Sequence, residues 1–266
     1  MIESMAERLK IASQGQGTPL VFIHGWGLNS AVWQPCLQQL QADFEVITID
    51  LPGFATNQKF QLADYSLEDI AKQVQQAVAK PAVYIGWSLG GLVASKIALA
   101  QPEQVLALVT VASSPKFVED EHWPGIKKTV LAMFHRQLAQ DTTKTISNFL
   151  KIQAMGSPNV RQDIKKIRDL VMQHEQPTQK TLDDSLALLA SSNLSDALSD
   201  IRQPFLRLYG KLDGLVPKQV IPLIDSLVPN SECHIFPYAS HAPFISHQEE
   251  FLSVLQNWLL QHFNQG

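Results

Sequence analysis

The stretch Val83-Tyr84-Ile85-Gly86-Trp87-Ser88-Leu89-Gly90-Gly91 constrains the fold of this chain more than any other. A β-branched and aromatic run ends in Gly-x-Ser-x-Gly, and a helix-patterned segment from residue 92 to 100 follows at once. Strand, sharp turn and helix in that order predict a strained bend that pushes the Ser88 hydroxyl clear of the main chain. Gly86 and Gly90 flank the serine because a Cβ at either position would collide across so tight a turn. The helix starting there points its unbonded N–H groups at any negative charge that forms near Ser88. The competing reading is a glycine-rich turn with an incidental serine. The order of the remaining parts argues against it.

Strand-like and helix-like runs alternate along the chain, which predicts a mostly parallel sheet covered on both faces. Strands are expected at Pro19–Ile23, Glu45–Ile49, Val105–Val111, Phe205–Gly210 and Glu232–Phe236, besides the run before the bend. Near-continuous apolar strands such as 105–111 are what burial on both faces requires. Helices are expected after Asn29 or Ser30 to about Leu40, after Ser66 through Val78, near 217–227 and over Gln248–Phe263. From residue 116 to 191 the alternation stops, leaving helical segments at 126–138, 142–155 and 160–174 and no convincing strand. The expected architecture is an α/β-hydrolase core, residues 1–115 and 192–266, with residues 116–191 inserted as a helical cap.

A serine hydroxyl is a poor nucleophile at neutral pH and needs a base. In this fold the partners arrive in the order serine, acid, histidine, each at the carboxyl end of a strand. Asp213 follows the strand ending at Gly210, and His241 follows the strand ending at Phe236, so both stand where those partners belong. Asp225 falls within a helical stretch and reads as an exposed structural acid, while Asp50-Leu51-Pro52-Gly53 reads as a turn. Among the other histidines, His234 lies inside a strand, His247 beside the last helix and His262 near the terminus. His24 reads as a brace for its loop. Ester chemistry also needs donors for the oxyanion, and these are expected from the backbone N–H groups of Leu89 and Trp26, the latter in His24-Gly25-Trp26-Gly27.

A chain with net charge −4 has no overall basicity that would suggest nucleic acid, and no apolar run approaches the roughly 20 residues a bilayer needs. Acids occupy the first residues where a signal peptide would be basic, so a cytoplasmic location is expected, with Cys36 and Cys233 as two buried free thiols. No metal-ligand spacing and no dinucleotide motif after a strand occurs, so neither a metal nor another cofactor is expected. Charge is unevenly spread: residues 122–168 hold nine bases against Asp141 and Asp163, a net of +7, which leaves −11 for the remainder. Arg161, Lys165 and Arg168 share one helical face. Such a face is either simply solvated or a docking patch for an acidic partner.

Several strings resemble the pimeloyl-[acyl-carrier protein] methyl ester esterases of biotin synthesis. They are His24-Gly25-Trp26-Gly27-Leu28-Asn29, Gly86 to Ser95, Val109 to Pro115, Trp123 to Lys127, Phe205 to Pro217, and His241 to His247. The similarity runs from about residue 14 to the end. It implies a serine carboxylesterase that demethylates a pimeloyl chain tethered to its acyl carrier protein; a monomer is expected. It implies that Trp26, Ser88, Leu89 and His241 contact the substrate together with Phe149, Leu150, Lys151, Ile152 and Gln153. It also gives the basic cap a partner, the acidic carrier, with Lys144, Arg161 and Lys165 at the family's basic positions. Asn148 departs from that pattern where an arginine is expected, and Ala55 departs where a glycine follows Phe54. A general short-chain carboxylesterase, a carbon–carbon hydrolase on the same scaffold, and a non-enzymatic ligand receptor are the competing functions.

Overall fold

In the strand Pro19–Ile23 (β2), Leu20 and Phe22 alternate with Val21 and Ile23, and all four are buried. The first pair packs into the apolar cluster on one face of the sheet and the second into the cluster on the other. Such a strand cannot show polar alternation, because neither of its faces meets water. The computed structural model describes residues 8–154 and 159–263. Its sheet has seven strands: β1 (Ile11–Gln14), β2, β3 (Glu45–Ile49), β4 (Ala82–Trp87), β5 (Val105–Val111), β6 (Phe205–Gly210) and β7 (Glu232–Phe236). Their order is β1-β3-β2-β4-β5-β6-β7, parallel throughout except for β1, which runs antiparallel to β3.

Helices cover both faces. The helices α1 (Gln34–Leu40), α2 (Leu67–Val78) and α3 (Leu89–Ala100) follow the early strands, and α4 (Lys128–Gln140), α5 (Thr142–Ala154), α6 (Val160–Val171) and α7 (Gln179–Ser191) stand between β5 and β6. Beyond them come α8 (Ile221–Leu227), α9 (Pro243–Ser246) and α10 (Gln248–Phe263). This is the expected α/β-hydrolase architecture. The chain leaves β2 to one side for β3 and returns to the other for β4, so the sheet's switch point lies between β2 and β4, where a crevice forms at the carboxyl ends.

The differences from expectation have local causes. Helix α3 begins at Leu89 instead of residue 92, because Gly90 and Gly91, poor helix formers by themselves, are held helical by what surrounds them. Among the described residues the segment between β5 and β6 also holds a helix beyond the three segments expected, α7, capped by the Thr178 side chain, which accepts from the Thr181 N–H. Strand β1 is exposed throughout and owes its conformation to pairing with β3. Both cysteines are free, but only Cys36 is buried; Cys233 lies exposed on β7, whose outer edge no further strand covers. Burial pushes the Cys36 thiol up to about 12, which leaves it inert.

Helix α2 ends on Ala79, whose φ of 53° is left-handed, with its N–H donating to the Gln75 carbonyl. A Cβ costs about 1 kcal/mol in that conformation, and glycine is the usual residue there. Ala79 is exposed, so no packing is lost on removing its methyl group. The Ala79→Gly variant should gain roughly 0.5–1 kcal/mol in denaturant unfolding without a change in m-value.

Candidate active site

Ser88 sits at the end of β4 with φ 54° and ψ −117°, in a region few non-glycine residues enter. Its N–H donates to the Val111 carbonyl at 2.9 Å, and its own carbonyl accepts from Gly91 N at 2.9 Å as α3 begins. A Cβ on Gly86 would strike the Gly90 carbonyl, and one on Gly90 would strike the Ile23 and His24 carbonyls. The two motif glycines therefore set different distances. Gly86 lets the bend close, and Gly90 lets the loop after β2 lie against it.

That loop is braced from below. The His24 ring is buried; its Nε2 accepts from the Leu51 N–H at 3.0 Å, so Nδ1 carries the proton and donates to the Gly25 carbonyl at 2.8 Å. Asp50 accepts from Ser30 N at 2.7 Å and from Thr56 N and Oγ1 at 3.1 and 2.6 Å. Burial alone would raise the Asp50 carboxyl, but the His24 ring and the donors on Thr56 and Ser30 outweigh it and hold the group below its ordinary value. Asp-Leu-Pro-Gly is thus more than a turn: its first residue ties together the loops after β2 and β3.

Asp213 and His241 meet across the ends of β6 and β7. Asp213 Oδ2 accepts from His241 Nδ1 at 2.8 Å, while Oδ1 accepts from the N–H groups of Leu215 and Val216 at 2.8 and 3.0 Å. Both side chains are buried. The two loops come this close because Gly210 has no Cβ to strike the Ser240 carbonyl. His241 Nε2 is buried and has no partner among the described residues, and no Ser88–His241 hydrogen bond is formed. The two residues are neighbours through Trp87, whose indole N–H donates to the His241 carbonyl at 2.8 Å. The N–H groups of Trp26 and Leu89 likewise have no acceptor among the described residues.

Ser88 opens into a narrow cavity of about 20 Å³. Trp26 and Leu215 from the core and Phe117, Phe134, Phe149 and Leu186 from the segment between β5 and β6 form its wall. Apart from Ser88 the lining is entirely apolar. The chemistry of this wall suits a methylene chain and penalises any unpaired charge, and the wall has to move apart to admit one.

The description alpha/beta hydrolase fold belongs to the family model that matches residues 18–248. Two curated relatives, each named pimeloyl-[acyl-carrier protein] methyl ester esterase, come from Aliivibrio fischeri and Citrobacter koseri. They are 46% and 47% identical to the chain, over 94% and 91% of its length and 96% and 94% of theirs. The chain belongs to this esterase family. Among solved structures, an esterase from Exiguobacterium antarcticum has a TM-score of 0.84 at 22% identity, covering 94% of each chain. A bromoperoxidase from Bacillus anthracis has 0.85 at 20%, again over 94% of each. At such identity the likeness is one of fold alone.

Measured against that esterase family, the implied substrate contacts divide. Five successive helical residues point in all directions. Of the run on α5, Phe149 lines the cavity and Leu150 packs into the opposite apolar cluster with Ile167 and Val171. Lys151 is exposed and donates to Asn148 Oδ1 at 3.2 Å. The side chain of Ile152 lies outside the described residues. Gln153 is buried, and its carbonyl accepts from the His241 N–H at 3.2 Å. Lys144, Arg161 and Lys165 are exposed on the adjacent helices α5 and α6 and make no ion pair among the described residues. Ala55 adopts φ 37°, the left-handed backbone that a glycine would take without strain. The cavity wall from α4 and α7 was not read from the sequence, although Leu182, Leu186 and Leu189 recur at helical spacing.

Burial lowers the His24 imidazole below its ordinary 6.5, and Asp50 opposes this only in part. Unfolding therefore takes up a proton at this site when the pH falls below about 6.5, and the stability that neutral His24 contributes above that value is lost on acidification. Unfolding free energy should drop by up to about 1.4 kcal/mol per pH unit below pH 6.5 more steeply in the wild type than in His24→Asn. Parallel curves for the two proteins would show that His24 titrates alike in both states.

Proposed function

We propose that the chain is a serine carboxylesterase that removes the methyl group from a pimeloyl chain while that chain is carried on acyl carrier protein, as the names of its relatives describe. The observation that carries this reading is the Asp213–His241 pair beside an apolar cavity whose single polar lining residue is Ser88. Ser88 Oγ attacks the ester carbonyl and His241 Nε2 takes its proton, with Asp213 holding the Nδ1–H tautomer and stabilising the imidazolium. The N–H groups of Leu89 and Trp26 receive the oxyanion. Collapse returns the proton to the departing methoxide, which leaves as methanol. Water, activated by His241, then releases the free carboxylate from the acyl-enzyme.

Residues 116–191 serve in this reading as the cap that closes the cavity. We place the enzyme, as a monomer, in the cytoplasm, a reducing compartment that free Cys36 and Cys233 suit. No helix among the described residues is long and apolar enough to cross a membrane. The carrier, an acidic protein, docks on Lys144, Arg161 and Lys165, where the charge is uncompensated and reaches solvent.

Ser88→Ala should reduce turnover of the carrier-bound methyl ester by at least about 10⁴-fold. Wild-type enzyme should prefer the carrier-bound ester to the free one, and the preference should fade between about 50 and 300 mM salt. Charge reversal at Arg161 and Lys165 should lower kcat/KM on the carrier-bound ester about tenfold or more and spare a small free ester. Equal losses on both substrates would count against docking, and absence of any carrier preference would favour a general short-chain esterase.

A further inference from the structure

Strand β5 leaves the sheet through a second strained residue. Ala112 has φ 45°, left-handed for a residue with a Cβ, and its N–H donates to the Leu208 carbonyl at 2.8 Å on the neighbouring β6. This turn places the next side chain, buried Ser113, against the bend at Ser88, where its hydroxyl donates to the Ser88 carbonyl at 2.7 Å. Gly91, which the Gly-x-Ser-x-Gly pattern does not demand, is required by the same contact, since a Cβ there would strike the Ser113 Cβ and Oγ. Strain at Ala112 and a missing side chain at position 91 thus serve one hydrogen bond. Ser113 does not line the cavity at Ser88.

The carbonyl of Ser88 belongs to the same peptide group as the N–H of Leu89. That peptide is trans and planar, so its C=O and N–H point in opposite directions. The oxygen accepts from Gly91 N at 2.9 Å inside the helix and from Ser113 Oγ outside it, at the shorter distance, and donors fixed on it from two sides set where the N–H is aimed. The Ser113 hydroxyl also draws electron density through the amide and makes the N–H a stronger donor. We propose that Ser113 is a positioning residue for the oxyanion hole, acting through the Ser88–Leu89 peptide without touching substrate. This rests on the reading of Leu89 N–H as an oxyanion donor. The effect belongs to the transition state, because the ground-state carbonyl is neutral and gains less from a sharper donor.

The test uses Ser113→Ala and Ser113→Cys, the second filling the space with a weak donor, on a small soluble methyl ester. Both variants should lose about tenfold in kcat with KM within about twofold of wild type, less than the 10²–10³ for deleting a donor outright. Binding of a trifluoromethyl ketone, which forms a reversible tetrahedral adduct with its own oxyanion, should weaken by the same factor in both. The pH profile of kcat/KM should keep its shape, since the base is untouched. Wild-type kcat in Ser113→Ala, or a full rate in Ser113→Cys, overturns the inference, the latter by showing that packing alone suffices. A loss confined to KM, or one accompanied by a shifted pH profile, overturns it as well. Ser88→Ala measured alongside separates the two levels: if it stays active the site reading itself falls, and if it is dead while Ser113→Ala is fully active only the role of Ser113 falls.

Discussion

The rest of the site depends on the chain passing through Ser88 with positive φ. A residue with a Cβ held there costs about 1–3 kcal/mol and persists only where neighbours over-determine it. Here they do. The strand before it is buried along its whole length, the helix after it starts without an intervening loop, and the N–H and C=O of Ser88 are both hydrogen-bonded. Gly86 and Gly90 are packing requirements of that passage, and the carbonyls that would collide with a Cβ on Gly90 belong to the loop bearing Trp26. The bend and the Trp26 loop cannot be spaced independently of each other.

Among the described residues, three hydrogen bonds tie the segment between β5 and β6 to the loops of the site. Trp26 Nε1 donates to the Leu182 carbonyl at 3.1 Å, Asn29 Nδ2 to the Val171 carbonyl at 3.1 Å, and the His241 N–H to the Gln153 carbonyl at 3.2 Å. Val171 ends α6 and Gln153 is the second-to-last residue of α5. Carbonyls at helix ends have no intrahelical donor and must find one elsewhere. The loops carrying the proposed base and oxyanion donor supply it, so α5 is held together with the base loop, and α6 with the loop after β2. Displacing the helices would expose an apolar cavity and would also release the backbone of His241.

Much of this was legible in the sequence because burial on both faces leaves strong marks. Strands β2, β3, β5, β6 and β7 match the expected residue ranges, since each is an apolar or β-branched run bounded by turn residues. Strand β1, Ile-Ala-Ser-Gln, has no such mark; only its partner makes it a strand. The positions of Ser88, Asp213 and His241 just after β4, β6 and β7 follow from chain order, a topological property that survives translation into sequence. What could not be read is what acts through contact across the fold. Asp50 looks like the start of a turn until its three donors are seen, and Phe134 or Leu186 look like core until the cavity beside Ser88 is seen. The five-residue run on α5 shows the converse, because a linear string hides that Leu150 and Phe149 face opposite ways.

The apolar lining bears on which end of the reaction the cavity holds. A methyl ester is neutral and can enter a wall of Phe, Leu and Trp side chains at no cost in unpaired charge. The product carboxylate meets donors only at Ser88, on the proposed reading the N–H groups of Leu89 and Trp26, and deeper among the apolar side chains an ionised group without a partner costs several kcal/mol to keep from water. No lysine or arginine lines the cavity to offset that. The uncompensated bases stand instead outside, on α5 and α6, where they face solvent. On the proposed reading, positive charge at the surface and none inside lets the site attract an acidic carrier while its cavity favours the neutral ester over the acid it yields.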